Sequence, residues 1–405
     1  MEPNPLLFRD LTYIFLAAVT GGLVAWRLRL PLILGFVLGG IAVSQFTPGP
    51  HLSGLHHFEV FAEVGVVLLM FSIGVEFSIP DLMRVRWVAL LGGPIGILLI
   101  MATAAAAGRL AGWNMREALV MGGAVSVVST MVLARLLTDS GRLAETYGRI
   151  MIGITLVEDL AVICMTVVLP AFAGSADSGL AKAAWTLGKA LLLLVPLGFL
   201  AIWIIPRILR RVRATCNSEL FLLVGIAICL GTAALAEAAG FSVALGAFLA
   251  GLSISGVEDL HDAHTQLVPL RDAFVALFFV SLGALVDPRV IFHNLPLLGL
   301  LLLLIVVAKF LVWGGVVRVF HYPWRTALAV AAGLTQIGEL SFVLIQAARS
   351  SGMVGEDVMD VVIAASLLSI LLNVFLVRFA FRWLDRATLR QSLPGAATSP
   401  IGGQA

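Results

Sequence analysis

The chain has 405 residues, of which 60% are hydrophobic and 12% charged, with a mean hydropathy of +1.04 and a formal net charge of +2. A water-soluble protein of this length covers its surface with about a quarter charged residues, so a cytosolic enzyme, a secreted scaffold and a disordered chain are excluded, and the small net charge gives no sign of a nucleic-acid partner. What remains is an all-α polytopic membrane protein whose outer surface meets the lipid bilayer.

A spanning helix takes about 20 mostly apolar residues. In chain order the apolar runs predict thirteen spans: 6–26, 30–46, 58–78, 86–108, 117–137, 147–173, 183–205, 219–239, 241–255, 268–286, 295–320, 323–349 and 357–383. The first follows MEPNP, which has no basic segment, so it is a membrane helix and not a cleaved signal. Loops after the odd-numbered spans, with the C-terminal tail, hold 18 arginines; the other side holds 7 basic residues. Positive charge stays inside, which puts the N-terminus outside and the C-terminus in the cytoplasm of a cell membrane. Residues 1–385 read as one transmembrane domain. Residues 386–405, rich in Ser, Gly, Pro and Ala, read as a disordered cytoplasmic tail.

The three cysteines, Cys164, Cys216 and Cys229, form no CxxC pair. All seven histidines lie between the runs or at their edges. Haem and copper sites therefore lack their usual ligands; no cofactor and no catalytic residue are expected. An intramembrane protease would need a second aspartate in a GxGD setting or a Ser–His pair, and neither is present.

A charge at membrane depth is costly, and it is a functional candidate by default. The sixth span carries Glu158 and Asp159 in ITLVEDLAVICM. Adjacent helical residues point about 100° apart, so the two carboxylates can meet different neighbours. The eleventh span carries Lys309, the only lysine in an apolar run, too deep to reach an interface. Its expected partner is the acidic pair. The twelfth carries Glu339, with Thr335 and Gln336 just before it.

Two spans are interrupted by glycine and hydroxyl or amide side chains. The fifth reads EALVMGGAVSVVSTMVLARLL, with Ser126, Ser129 and Thr130 after a Gly pair; the twelfth reads TALAVAAGLTQIGELSFVLIQ. Unwound backbone at membrane depth is tolerated only inside protein or beside water. The two spans are seven apart, an odd number, so a repeat relating them is inverted across the membrane. Inverted repeats with broken helices are a transporter architecture, with the ion site near the midplane.

These residues resemble the second monovalent cation:proton antiporter family, and within it the Kef-type potassium efflux branch. LMFSIGVEFS (69–78), SVVSTMVLARLL (126–137), VEDLAVI (157–163), LFFVSLGALVDP (277–288), TQIGELSFVL (335–344) and Lys309 carry the likeness. The resemblance implies a sodium/proton antiporter-like fold with crossing broken helices, a core domain that moves as an elevator against a dimerisation domain, and a homodimer. It places the ion- and proton-binding aspartate at Asp159, a variable neighbour at Glu158, the membrane lysine at Lys309, and the first unwound stretch at Ser129 and Thr130. Ser126, Gln336 and Glu339 would support the breaks.

The implied function is exchange of a monovalent cation, K⁺ favoured over Na⁺, for protons. Asp159 would hold one or the other in turn. A gated K⁺ efflux channel, or an ion-translocating subunit of a larger complex, is the competing reading; no TVGYG-like filter is present. Kef-type proteins usually carry a nucleotide-binding regulatory domain after the last span, and the sequence ends at Ala405 without one. A separate cytoplasmic regulatory subunit and a removed domain are the two expectations this raises. Glu158, where glutathione-gated members have Gln, argues against that gating.

Overall fold

A computed structural model describes residues 5–28, 30–48, 52, 56–77, 79–171, 188, 192, 199, 203–205, 207–208, 211, 218–239, 241–255, 261–285, 295–338, 340–350, 352–355 and 357–392. The described elements are helical. In order they are α1 (Pro5–Arg27), α2 (Leu32–Ala42), α3 (His56–Glu76), α4 (Ile79–Arg84), α5 (Gly93–Leu110), α6 (Met115–Ser126), α7 (Thr130–Asp139) and α8 (Thr146–Ala171). Then come α9 (Ser218–Ala238), α10 (Val243–Ile254), α11 (His261–Ala284), α12 (Leu295–Leu303), α13 (Lys309–Val319), α14 (Trp324–Gly333), α15 (Leu340–Ser350) and α16 (Asp357–Ser392). Every predicted span coincides with helix except the seventh, 183–205, which lies almost wholly outside the described residues.

Among the described residues, six helical segments are long and apolar enough to cross a membrane, including Val88–Leu110, Met115–Asp139 and Leu295–Val319. Their outer faces show large apolar side chains such as Leu23, Leu98, Leu303, Leu311 and Phe379, as expected where the solvent is lipid. The chain is a multi-pass membrane protein.

The helices pack as two groups. In one, α3 lies against α10 and α11, α2 fits between α1 and α11, and α9 covers α10. Small residues bring these backbones together: Gly74 of α3 abuts Gly251 of α10, and Gly40 of α2 abuts Gly283 of α11. The other group joins α5–α8 to α12–α16, with α5 on α6, α13 on α14, and α15 on both α6 and α8.

The second group holds the inverted pair. α6 stops at Ser126, three residues run on without helix, and α7 begins at Thr130. α14 stops at Gly333 and α15 begins at Leu340. The likeness extends one helix further back. The spans preceding the two broken helices each contain a π-turn, at Val88–Gly92 and Leu304–Ala308. Such a turn shifts helical register and is frequent at functional sites; the second leads directly into Lys309.

One boundary differs from expectation. The last helix continues past residue 385 to Ser392, so the first part of the expected disordered tail is helical. Ala387, Leu389 and Arg390 favour helix; residues 393–405 lie outside the described residues.

Candidate functional site

The two breaks touch. A side chain at Gly338 would meet Ser129 Cα at 2.6 Å and Ser129 N at 2.7 Å, so only glycine permits this crossing. Gln336 Nε2 donates to the Ser129 carbonyl across the crossing at 3.4 Å.

Each break strands backbone groups that a helix would have paired, and in a membrane each orphan is expensive. The first break is served by charge. Lys309, fully buried, donates from Nζ to the Val127 carbonyl at 3.3 Å and to the Gln336 carbonyl at 2.6 Å. It thus serves both breaks at once. Glu158, 1% exposed, accepts through Oε2 from the Val128 N–H at 3.1 Å. Val127 C=O and Val128 N–H are the two ends of a single peptide unit. The expected direct pairing of Lys309 with Glu158 is therefore replaced by an indirect one, with ammonium and carboxylate gripping opposite ends of that peptide. The reason is demand: an ammonium has three protons to place, and two carbonyls freed by the breaks had no other donor of this strength. The signs match the half-helix dipoles. The cation sits where α6 and α14 end; the anion sits where α7 begins.

The remaining predicted residues take distinct places. Ser129 is the N-cap of α7, its Oγ accepting from Val132 N–H at 3.4 Å. Ser126 Oγ donates back to the Gly123 carbonyl at 2.7 Å and finishes α6. Thr130 Oγ1 donates to Asp159 Oδ1 at 3.3 Å. Glu339 lies outside the described residues.

The acidic pair splits as its spacing predicts. Glu158 turns to the broken backbone. Asp159, with Thr130, lines a cavity of 610 Å³ between the two helix groups. Its other walls include Val66 of α3, Ser242 and Ala244 near the start of α10, and Phe278, Ser281 and Leu282 of α11. It reaches the surface at Glu63, Glu237 and Leu285, all exposed. Asp159 itself is 3% exposed. A buried carboxylate on the wall of a cavity, beside a hydroxyl and the positive end of α7, can take up a small cation or a proton.

Several residues emerge only in three dimensions. Ser366, Ser369 and Asn373 of α16, all buried, serve the second break. Ser366 Oγ donates to Ile337 O at 3.1 Å, Ile337 N–H donates to Ser369 Oγ at 3.2 Å, and Asn373 Nδ2 donates to Ala332 O at 2.6 Å and Thr335 Oγ1 at 3.1 Å. Their spacing, at 366, 369 and 373, places them on one helix face; that polar stripe in an apolar span was the available signal. Ser281, 7% exposed on the cavity wall, has no hydrogen-bond partner for its Oγ.

Comparison with known proteins agrees with this architecture. The chain is 35% identical over 395 residues to the putative cation/proton antiporter YbaL of Escherichia coli strain K12, covering 94% of this chain and 70% of that protein. It is 30% identical over 402 residues to K(+) efflux antiporter 5 of Arabidopsis thaliana, covering 97% and 70%. In fold it is similar to the sodium proton antiporter MjNhaP1 of Methanocaldococcus jannaschii at pH 8, with a TM-score of 0.64 at 17% identity, over 93% of this chain and 99% of that one. Residues 14–383 match the family described as "Sodium/hydrogen exchanger, transmembrane". With that match across nearly the whole membrane region, the chain belongs to the sodium/hydrogen exchanger family.

Proposed function

We propose that this protein is a secondary transporter exchanging a monovalent cation for protons at Asp159. The observation that carries the reading is the split of the acidic pair: one carboxylate is committed to the broken backbone, and the other faces the cavity beside Thr130. Exchange then needs no ATP. Asp159 holds a proton or a cation, never both, because its single negative charge is neutralised by either. Thr130 Oγ1 is one further oxygen for the cation shell, and water in the cavity supplies the rest. K⁺ is the favoured cation, supported by the K⁺ efflux antiporter among the relatives.

Alternating access would come from the group bearing α6–α8 and α14–α16 sliding as an elevator against the group bearing α3, α10 and α11. The cavity between the two groups supports that division. The excess of basic residues after odd-numbered spans supports a cytoplasmic C-terminus, so that the cavity opens outward.

The test is proton movement in inside-out vesicles, read with a pH-sensitive dye, with K⁺ and Na⁺ added separately. Wild type should dissipate the imposed gradient on addition of K⁺, and Asp159→Asn should not respond to either cation. Cation-driven proton movement of wild-type size in Asp159→Asn would remove Asp159 from the site.

A further inference from the structure

A second charged cluster lies in the same interface, at the other end from the cavity mouth. Arg135 of α7 reaches across to Asp272 of α11, with Nη1 2.6 Å from Oδ1. Its Nε is 3.0 Å from Asp139 Oδ1, one turn along its own helix. Arg271 binds the same Asp272 oxygen, with Nη2 at 3.0 Å, and donates from Nη1 to Ser72 Oγ of α3 at 2.8 Å. Arg135 and Arg271, which the sequence placed among the basic residues at span ends, are 8% and 5% exposed. One carboxylate oxygen therefore receives two buried guanidiniums from opposite sides of the interface.

The placement is what matters. Thr130 lines the cavity and Arg135 follows it on α7 by five residues, about 7.5 Å of helix rise. Ser281 lines the cavity and Asp272 precedes it on α11 by nine residues, roughly 14 Å. On α3, Val66 lines the cavity and Ser72 lies about 9 Å further along. All three helices thus leave the cavity floor and converge on the cluster. The cavity gives access to Asp159 from one end, and the ion cluster bridges the two helix groups at the other.

We propose that Arg135 and Asp272 are positioning residues that latch the cavity-open form by tying α7 to α11 on the far side of Asp159. This rests on the alternating-access reading above. For access to pass to the opposite end, α7 and α11 must separate there, and the Arg135–Asp272 contact must break. While it holds, the cluster bars that end. Asp272 is the single shared acceptor, so its loss also leaves two guanidiniums facing each other and drives the groups apart.

The test reads conformation and not flux. In a background with all three cysteines replaced, Leu282→Cys on the cavity wall is labelled with a water-soluble maleimide in lipid nanodiscs, where both faces meet solvent. Adding Arg135→Gln, or separately Asp272→Asn, should slow labelling at least about threefold, because the population leaves the cavity-open form. A merely structural loosening would leave labelling unchanged or faster, and either of those results overturns the latch. Arg135→Gln leaves the Arg271–Asp272 pair intact and decides the matter if Asp272→Asn does not fold. Absent exchange in wild-type vesicles, with labelling still latch-dependent, would fault the proposed exchange and leave the latch standing.

Discussion

The two broken helices are related by the repeat, yet they are held by opposite chemistry. At the first break, the helix that follows supplies carboxylates: Glu158 holds Val128 N–H and Asp159 faces the cavity. At the second, the following helix supplies only neutral groups, Ser366, Ser369 and Asn373. Lys309 bonds a carbonyl of each. Neutral groups satisfy stranded backbone at little electrostatic cost. Carboxylates buried in a membrane protein are costly and are kept where charge is used. The contrast fits the proposed function, in which the first break is the working site and the second its support.

Removing Lys309 should have the largest effect on this pair, because it serves both breaks. Lys309→Ala strands two buried carbonyls and leaves Glu158 without a nearby cation; a loss of about 3–5 kcal/mol is expected for breaking such a buried arrangement. Thermal unfolding in detergent would show it, and an unchanged midpoint would mean that water or other donors hold the breaks. Next comes Asn373→Ala. It removes donors to Ala332 O and Thr335 Oγ1 and should cost about 1–3 kcal/mol, while leaving the cation dependence and pH profile of exchange as in wild type. A shifted pH profile would erase the distinction between site and support. For Glu158→Gln the readout is exchange, since an amide oxygen still accepts from Val128 N–H. Exchange should persist with an altered pH dependence, measured by the same vesicle assay across pH. An unchanged profile would give Glu158 the same purely supporting role as Asn373.

Much of the site was legible in the chain because membrane charges are so rare. Glu158, Asp159 and Lys309 stood out against apolar neighbours. Adjacency alone required the two acids to face different ways, and the glycine and hydroxyl interruptions located both breaks. The partner of Lys309 was not legible. The sequence offered the acidic pair as its partner; it could not show that Val127 and Gln336 carbonyls would be nearer. The stripe Ser366, Ser369 and Asn373 was visible as a pattern, but serine and asparagine are common packing residues in membrane helices, and nothing local tied them to a break near residue 335.

Arg135 shows the limit most clearly. In the sequence it reads as one more positive charge near the end of a span. Only the packing of α7 against α3, with α11 alongside, brings it to Asp272 and buries it. The sequence by itself determined that the chain lives in a membrane, where its helices run, which of them break and which residues carry charge at depth. Those properties follow from hydropathy and backbone chemistry, which act locally along the chain. The tertiary structure alone decided which peptide each charge grips, which carboxylate faces the cavity and which arginine bridges the two helix groups. Those depend on helix crossings between residues 27 to 182 positions apart, where a displacement of a few ångströms exchanges one hydrogen-bond partner for another.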